Sequence, residues 1–145
     1  MIALIQRVAS ASVLVENKCV AEIKQGILAL VGVEKQDTTA SADRLLQRML
    51  GYRIFADDED KMNLSVKDIS GGLLLVPQFT LAADTKKGMR PGFSSAASPE
   101  DGERLFNYLI DMAGQTFENT QSGIFGADMK VALVNDGPVT FWLQT

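Results

Sequence analysis

The chain has no histidine and only one cysteine in 145 residues. Without an imidazole there is no Ser-His-Asp or Cys-His activation of a nucleophile and no histidine to hold a metal. A zinc site would lack its usual donors, so neither metal nor cofactor is expected, and Cys19 has no partner for an internal disulfide. No stretch approaches the roughly 18 apolar residues of a membrane span. The opening "MIALIQRVAS" carries no basic leader and is broken early by Arg7, so it reads as a first strand and not as a signal peptide. Together these absences predict a cytoplasmic protein that meets no membrane. Cations are in the minority too. Lys and Arg number 14 against 18 Asp and Glu, and the net charge of −4 argues against broad binding to DNA or any other nucleic-acid backbone, while allowing a small local contact. Chemistry in such a chain must come from hydroxyls, carboxylates, amides, backbone dipoles or the substrate itself.

What is present reads as a single domain over residues 1–145, with 46% hydrophobic and 22% charged residues. "SVLVEN" and "CVAEIK" predict two short strands around Glu16-Asn17-Lys18, and "ILALVGV" (27–33) a strand buried on both faces, so the first 33 residues read as a small meander. Cys19 reads as a small buried apolar residue. Ala42, Leu45, Leu46, Met49 and Leu50 then repeat at helical spacing behind the capping residues Asp37-Thr38-Thr39. "YRIF" (52–55) and "LLLV" (73–76) read as strands, and "ADDEDKMN", which lacks the glycine and terminal glutamate of a calcium loop, as a solvated loop. Ser98, Pro99, Glu100 and Asp101 open a second helix whose apolar side is Leu105, Phe106, Leu109, Met112 and Ala113. "MKVALV" and "VTFWLQ" alternate as a final strand pair. Strands at both ends with two helices between them predict an α+β domain, the helices covering one face of a mainly antiparallel sheet.

Two stretches do not reduce to this scheme. "NDGPVT" (135–140) is turn-forming, yet proline directly after the glycine suits a tight hairpin poorly, because it donates no hydrogen bond and restricts the residue before it. "PQFTL" (77–81) runs straight off a buried strand into the polar, glycine-bearing "AADTKKGMRPGFSSAA" (82–97), longer than a plain connector requires.

Together, in this order and at this separation, "PQFTL" and "NDGPVT" resemble the signatures of the D-aminoacyl-tRNA deacylases, a Ser-Gln-Phe-Thr-Leu stretch and an Asn-x-Gly-Pro-x-Thr stretch. The likeness extends through "IQRVASASV", "GVEK", "YRIF", "KMN", "GMRPGF" and "GADMKV", and covers essentially the whole chain. Pro77 departs from the family's serine, removing a hydroxyl and an N–H, so no role of that serine carries over. The resemblance implies hydrolysis of the ester joining a D-amino acid, or glycine mischarged on a noncognate tRNA such as tRNA-Ala, to the terminal adenosine of tRNA, as chiral proofreading in translation. It also implies a barrel-like β structure and a homodimer. A cis Gly137-Pro138 pair would reach from one subunit into its partner's site, where backbone atoms reject an L side chain but not a D side chain or glycine. An aminoacyl ester is an activated bond with a ribose hydroxyl beside it, so positioning, a water and oriented dipoles suffice without histidine. By the same resemblance Gln78, Phe79 and Thr80 stand at the catalytic centre, and Pro77, Leu81, Met129, Asn135 and Thr140 at the substrate.

Each of these residues has a plainer reading as well. Thr80 is a nucleophile, a hydrogen-bonding positioner or a threonine packed by its methyl, and the absence of a base weakens the first. Gln78 fits an orienter of substrate or water, and Phe79 either core or the wall of an adenosine pocket. Lys86, Lys87 and Arg90 are solvated surface or a contact to tRNA phosphate. Arg7 braces the Gly-Pro turn or makes an ordinary surface pair. On the last strand Val139, Phe141 and Leu143 face one way and Trp142 the other, more apolar surface than a monomer's edge strand exposes safely. A noncatalytic module that binds tRNA ends or another protein through the same turn is the competing function. An imine- or enamine-hydrolysing enzyme of similar size finds no support in these motifs.

Overall fold

The computed structural model describes Met1 to Thr145. Its elements are strands β1 (Ile2–Val15), β2 (Lys18–Ile23) and β3 (Gly26–Gly32), helix α1 (Thr39–Gly51), strands β4 (Phe55–Ala56), β5 (Met62–Leu64) and β6 (Gly72–Pro77), a short 3-10 turn (Phe79–Ala82), helix α2 (Pro99–Thr116), and strands β7 (Thr120–Ser122) and β8 (Met129–Gln144).

β1 is hydrogen-bonded along both edges. On one side its C-terminal half pairs with β2, from Ala11 opposite Ile23 to Val15 opposite Lys18, and its N-terminal half with β3, from Ile2 opposite Gly32 to Val8 opposite Gly26. On the other side lies β8, from Ile2 opposite Gln144 to Val15 opposite Met129. This corrects the predicted meander: β3 does not pair with β2 but continues its line past a bend at Lys24 and Gln25. The left-handed φ of Glu16 and Asn17 (49° and 62°) closes the turn between β1 and β2. The final strand pair is corrected too. "MKVALV" and "VTFWLQ" are two halves of one strand, both antiparallel to β1.

β3 and β6 are parallel, as are β6 and β7, so the sheet is mixed and its antiparallel part is centred on β1. Parallel neighbours need a crossover, and α1 with the β4–β5 hairpin supplies the first, α2 the second. Both helices lie on one face. Ala42, Leu45, Leu46, Met49 and Leu50 of α1 and Leu105, Phe106, Leu109 and Ala113 of α2 share a core with Ala3, Ile5, Ala29, Val31, Leu73 and Leu75. The opposite side chains of the same strands, among them Val8, Val13, Ile23, Leu28, Leu74 and Val76, form a second core as the sheet curls and β2 comes against β6 and β7. β3 and β6, covered on both faces, are therefore continuous apolar runs.

Thr38 and Ser98 stand at the helix N-caps, and Ser98 Oγ accepts from the Asp101 N–H at 3.2 Å. "YRIF" is not a strand beyond Phe55. Tyr52 ends α1, while Ile54 and Phe55 turn into the core, so a buried segment leaving a helix mimics an apolar strand. "ADDEDKMN" is a loop only in its middle, since Ala56 ends β4 and Met62 and Asn63 open β5; the turn between them is tied by Asp57, whose carboxyl is held below the usual range by the Asn63 amide and the N–H groups of Lys61 and Glu59. Cys19 is exposed, not buried, because it lies on the outer edge strand β2.

β3 and β6 begin their pairing at two facing glycines. Gly26 and Gly72 are register partners, and a Cβ on Gly26 would stand 2.0 Å from the Gly72 carbonyl oxygen. Gly26→Ala is expected to destabilise the fold by about 3 kcal/mol or more, since backbone has no room to yield. Gly114→Ala, in α2 with nothing within 4 Å of the new methyl, should stabilise by about 0.5–1 kcal/mol. Urea denaturation of both variants checks the contrast.

Candidate active site

A cavity of about 540 Å³ opens where β3 and β6 end and α2 begins. Val31, Val33 and Val76 form its floor, Ala97, Ser98, Pro99, Gly102 and Phe106 one wall, Phe125 to Met129 with Val131 another, and Pro77, Gln78 and Phe79 its rim. Asp128 is the one titratable residue on the wall, and its carboxylate is exposed and 3.8 Å from Lys130. The site is thus apolar, with a hydroxyl, an amide and backbone groups at its edge.

Pro77 is accommodated by position. Successive residues of a strand direct their N–H groups to opposite neighbours, and Gln78 donates to Val31 of β3 at 2.7 Å. The missing N–H of Pro77 therefore faces the other side, where β7 has already ended at Ser122 opposite Leu75. After Gln78 the chain turns sharply into the 3-10 turn, which leaves Phe79 59% exposed at the rim. The Gln78 amide donates to Thr80 Oγ1 at 2.6 Å in a contact open to solvent. No basic group accompanies the Thr80 hydroxyl in this contact.

Of the residues singled out in the sequence, Pro77, Gln78, Phe79 and Met129 meet on the cavity, with Thr80 attached through Gln78. Leu81 does not line it and packs instead with Ile2, Ala82 and Ala96. Lys86, Lys87 and Arg90 are exposed in the loop that follows. Phe106, Phe125 and the start of α2 complete the walls and escaped the sequence reading. Phe106 was legible only as helix core, and Phe125 only as an apolar residue between Gly123 and Gly126.

"NDGPVT" lies elsewhere in the chain. From Gln6 to Val8 β1 advances two residues while β8 moves five, from Thr140 to Asn135, so the surplus is extruded from the ladder. Arg7 sits opposite. Its Nε donates to the Asp136 carbonyl and its Nη1 to the Ile54 carbonyl, each at 2.7 Å, with the Asp136 carboxylate 3.8 Å away. Asn135 closes the base: Oδ1 accepts from the Val139 N–H at 2.8 Å, and Nδ2 donates to Thr140 Oγ1 at 3.1 Å and to the Val139 carbonyl at 3.3 Å. The Gly137–Pro138 peptide is cis, and Gly137 has φ 152°, where a Cβ would also meet Val139 at 2.6 Å. Both residues are exposed, and none of 135–140 lines the cavity. Asn135 is six residues from Met129 along β8, about 20 Å of extended chain.

These features define a class: a histidine-free α+β protein with a cleft that positions a reactive group and supplies no strong base. A family model described as "D-Tyr-tRNA(Tyr) deacylase" matches residues 4–144. The chain is 59% identical over 145 residues to a D-aminoacyl-tRNA deacylase of Pectobacterium atrosepticum, covering all of both, and 60% identical over 144 residues to that of Aliivibrio salmonicida, covering 99% of each. Among solved structures it is similar to a "c-Myc DNA Unwinding Element Binding Protein" (TM-score 0.95, 36% identity, 100% of this chain and 99% of that one). A "probable eukaryotic D-amino acid tRNA deacylase" shares the fold (TM-score 0.86, 17% identity, 99% and 98%). The chain belongs to the D-aminoacyl-tRNA deacylase family, and it is a hydrolase.

Asn135→Ala removes the acceptor for the Val139 N–H and the donor to Thr140. It is expected to cost about 1–2 kcal/mol in urea denaturation and to speed hydrogen exchange at the Val139 amide.

Proposed function

We propose that the chain hydrolyses the ester between a D-amino acid, or glycine on a noncognate tRNA, and the terminal adenosine of tRNA, acting as a homodimer whose "NDGPVT" turn faces the partner's cavity. The observation that carries this reading is a division of parts. The cleft has a rim of Pro77, Gln78 and Phe79, with Thr80 bonded to Gln78, but nothing in its own chain to judge the substrate's configuration, while a turn held by Arg7 and Asn135 presents an exposed Gly137-Pro138 to nothing in its own chain. A second copy supplies each with a counterpart.

β8 supports the pairing. It is bonded only to β1, leaving an open edge, and Leu133, Val134 and Trp142 are 37%, 59% and 50% exposed along it. In the dimer the backbone of the turn stands near the substrate's α-carbon, where an L side chain collides with it and a D side chain points away. Selection by rejection accepts many D-amino acids and admits glycine, which has no side chain to clash. This is chiral proofreading in translation.

Chemically, Gln78 and Thr80 orient the ester and a water. The Thr80 hydroxyl is engaged by the Gln78 amide, which favours positioning over attack. The ribose hydroxyl beside the ester assists the water. A tRNA-binding module without catalysis would use the same turn and release nothing.

The purified chain should release D-tyrosine from D-tyrosyl-tRNA and leave L-tyrosyl-tRNA intact. Release of both or of neither would sink the selective esterase. Thr80→Val should lower kcat/KM on the D substrate by about 10–100-fold and leave a rate above solvent hydrolysis. A complete loss, with an acyl-enzyme trapped on the wild-type threonine, would reverse the roles assigned here. Sedimentation should give twice 15.7 kDa at micromolar concentration, and a stable monomer would contradict the shared site.

A further inference from the structure

Beside the cavity mouth, two aromatic rings stand in the open. Phe79 and Phe93 lie 5.2 Å apart between centroids and tilted by 45°, yet they remain 59% and 42% exposed. A pair that buries so little of itself does not serve core packing. Phe93 belongs to the loop between the 3-10 turn and α2, and that loop is fastened at both levels. The Asp84 and Gly92 backbones exchange N–H···O bonds of 2.7 and 3.0 Å across its neck, and Lys35 N–H to Ser95 and Ala97 N–H to Val33 tie its far end to the segment after β3. Between the two sides of the neck, one residue short of Phe93, the same loop carries exposed Lys86 and Lys87, a fully exposed Met89 and exposed Arg90. None of these three cations has an acidic partner within ion-pair distance, although the chain is acidic overall.

We infer that the Phe79–Phe93 pair is a stacking platform for an unpaired base just upstream of the terminal adenosine, with Lys86, Lys87 and Arg90 on the accompanying phosphates. This rests on the proposed esterase reading and adds to it the path of the RNA strand. Aromatic faces take any base, and free cations beside them suit a single strand whose phosphates turn outward. Phe79 connects the two regions, because its ring also edges the cavity. A protein of net charge −4 then needs no broad basic surface, since it holds only the last nucleotides.

The test compares two substrates, a full D-tyrosyl-tRNA and 3′-O-D-tyrosyl-adenosine, which lacks the upstream bases. Phe93→Ala should raise KM about tenfold on the tRNA with kcat unchanged, have no effect on the adenosine ester, and be rescued by Phe93→Trp. Replacing Lys86, Lys87 and Arg90 with glutamine should weaken binding of tRNA and flatten its salt dependence, again without effect on the adenosine ester. Equal losses on both substrates, or no loss on either, would overturn the platform while leaving the esterase standing. If the wild-type chain cleaves neither substrate, the esterase reading falls and the platform with it.

Discussion

The mismatch in register between β1 and β8 is the constraint from which the rest of the architecture follows. β1 is locked on one side by β2 and β3, so β8 cannot slide against it without carrying Leu143 and its neighbours from the core to solvent. Five residue steps of β8 nevertheless face two of β1, a surplus of three. Those residues leave the ladder as a bulge, and Arg7, the β1 residue opposite, turns its guanidinium onto the extruded backbone. The same strand that organises both cores thereby holds the "NDGPVT" turn outside them. Asn135 repeats the logic locally by replacing the lost ladder bonds with its amide.

Magnitudes decide why a histidine-free cleft suits the proposed reaction. A general base contributes on the order of 10²–10⁴ in rate, about 3–5 kcal/mol. Correct placement of reacting groups is worth about 7–11 kcal/mol at its best, and an oriented dipole at the developing oxyanion about 3–4 kcal/mol. For an ester already activated by a neighbouring hydroxyl, the two terms a rigid rim supplies exceed the one it forgoes. The rim is rigid because Gln78 is bonded through its backbone to β3 and through its amide to Thr80. The apolar floor of Val31, Val33 and Val76 adds to this, because fixed dipoles act more strongly where bulk water is excluded.

How much of this was legible depended on whether a feature was local. The helix stripes, the Ser98 cap and the doubly buried β3 and β6 are written in spacing and composition, and the structure has them where the pattern puts them. Pairing is not local. β2 and β3 looked like successive strands of a meander because nothing in Lys24-Gln25 announces a bend instead of a reversal. "NDGPVT" read as turn-forming but fitted a tight hairpin poorly, because a bulge and a turn recruit the same residues, Asn, Asp and Gly, and only the partner strand distinguishes them. Cys19 was misplaced because its burial depends on β2 being an outer strand, a property of the sheet and not of the segment. At the site, "PQFTL" marked the rim, but Phe106 and Phe125 reach the cavity from elements more than 25 residues downstream of Phe79, and no local pattern ties them to it.

A gate that works by collision sets a limit on what the proposed enzyme can read from the amino acid. It separates L from D by whether a side chain meets backbone, but between a D side chain and glycine it has no contact to withhold. Discrimination among glycyl substrates must then come from the other end of the ester, the RNA. The geometry of the chain fits such a division of labour. The cavity floor is apolar and unspecific, whereas the exposed cations Lys86, Lys87 and Arg90 lie in the loop that also carries Phe93, whose ring meets Phe79 at the rim. Configuration would be judged by a bulge that β1 forces out of β8, and the carrier by a loop tied to the segment that follows β3. Because the two readers hang on different strands, a change in one need not disturb the other.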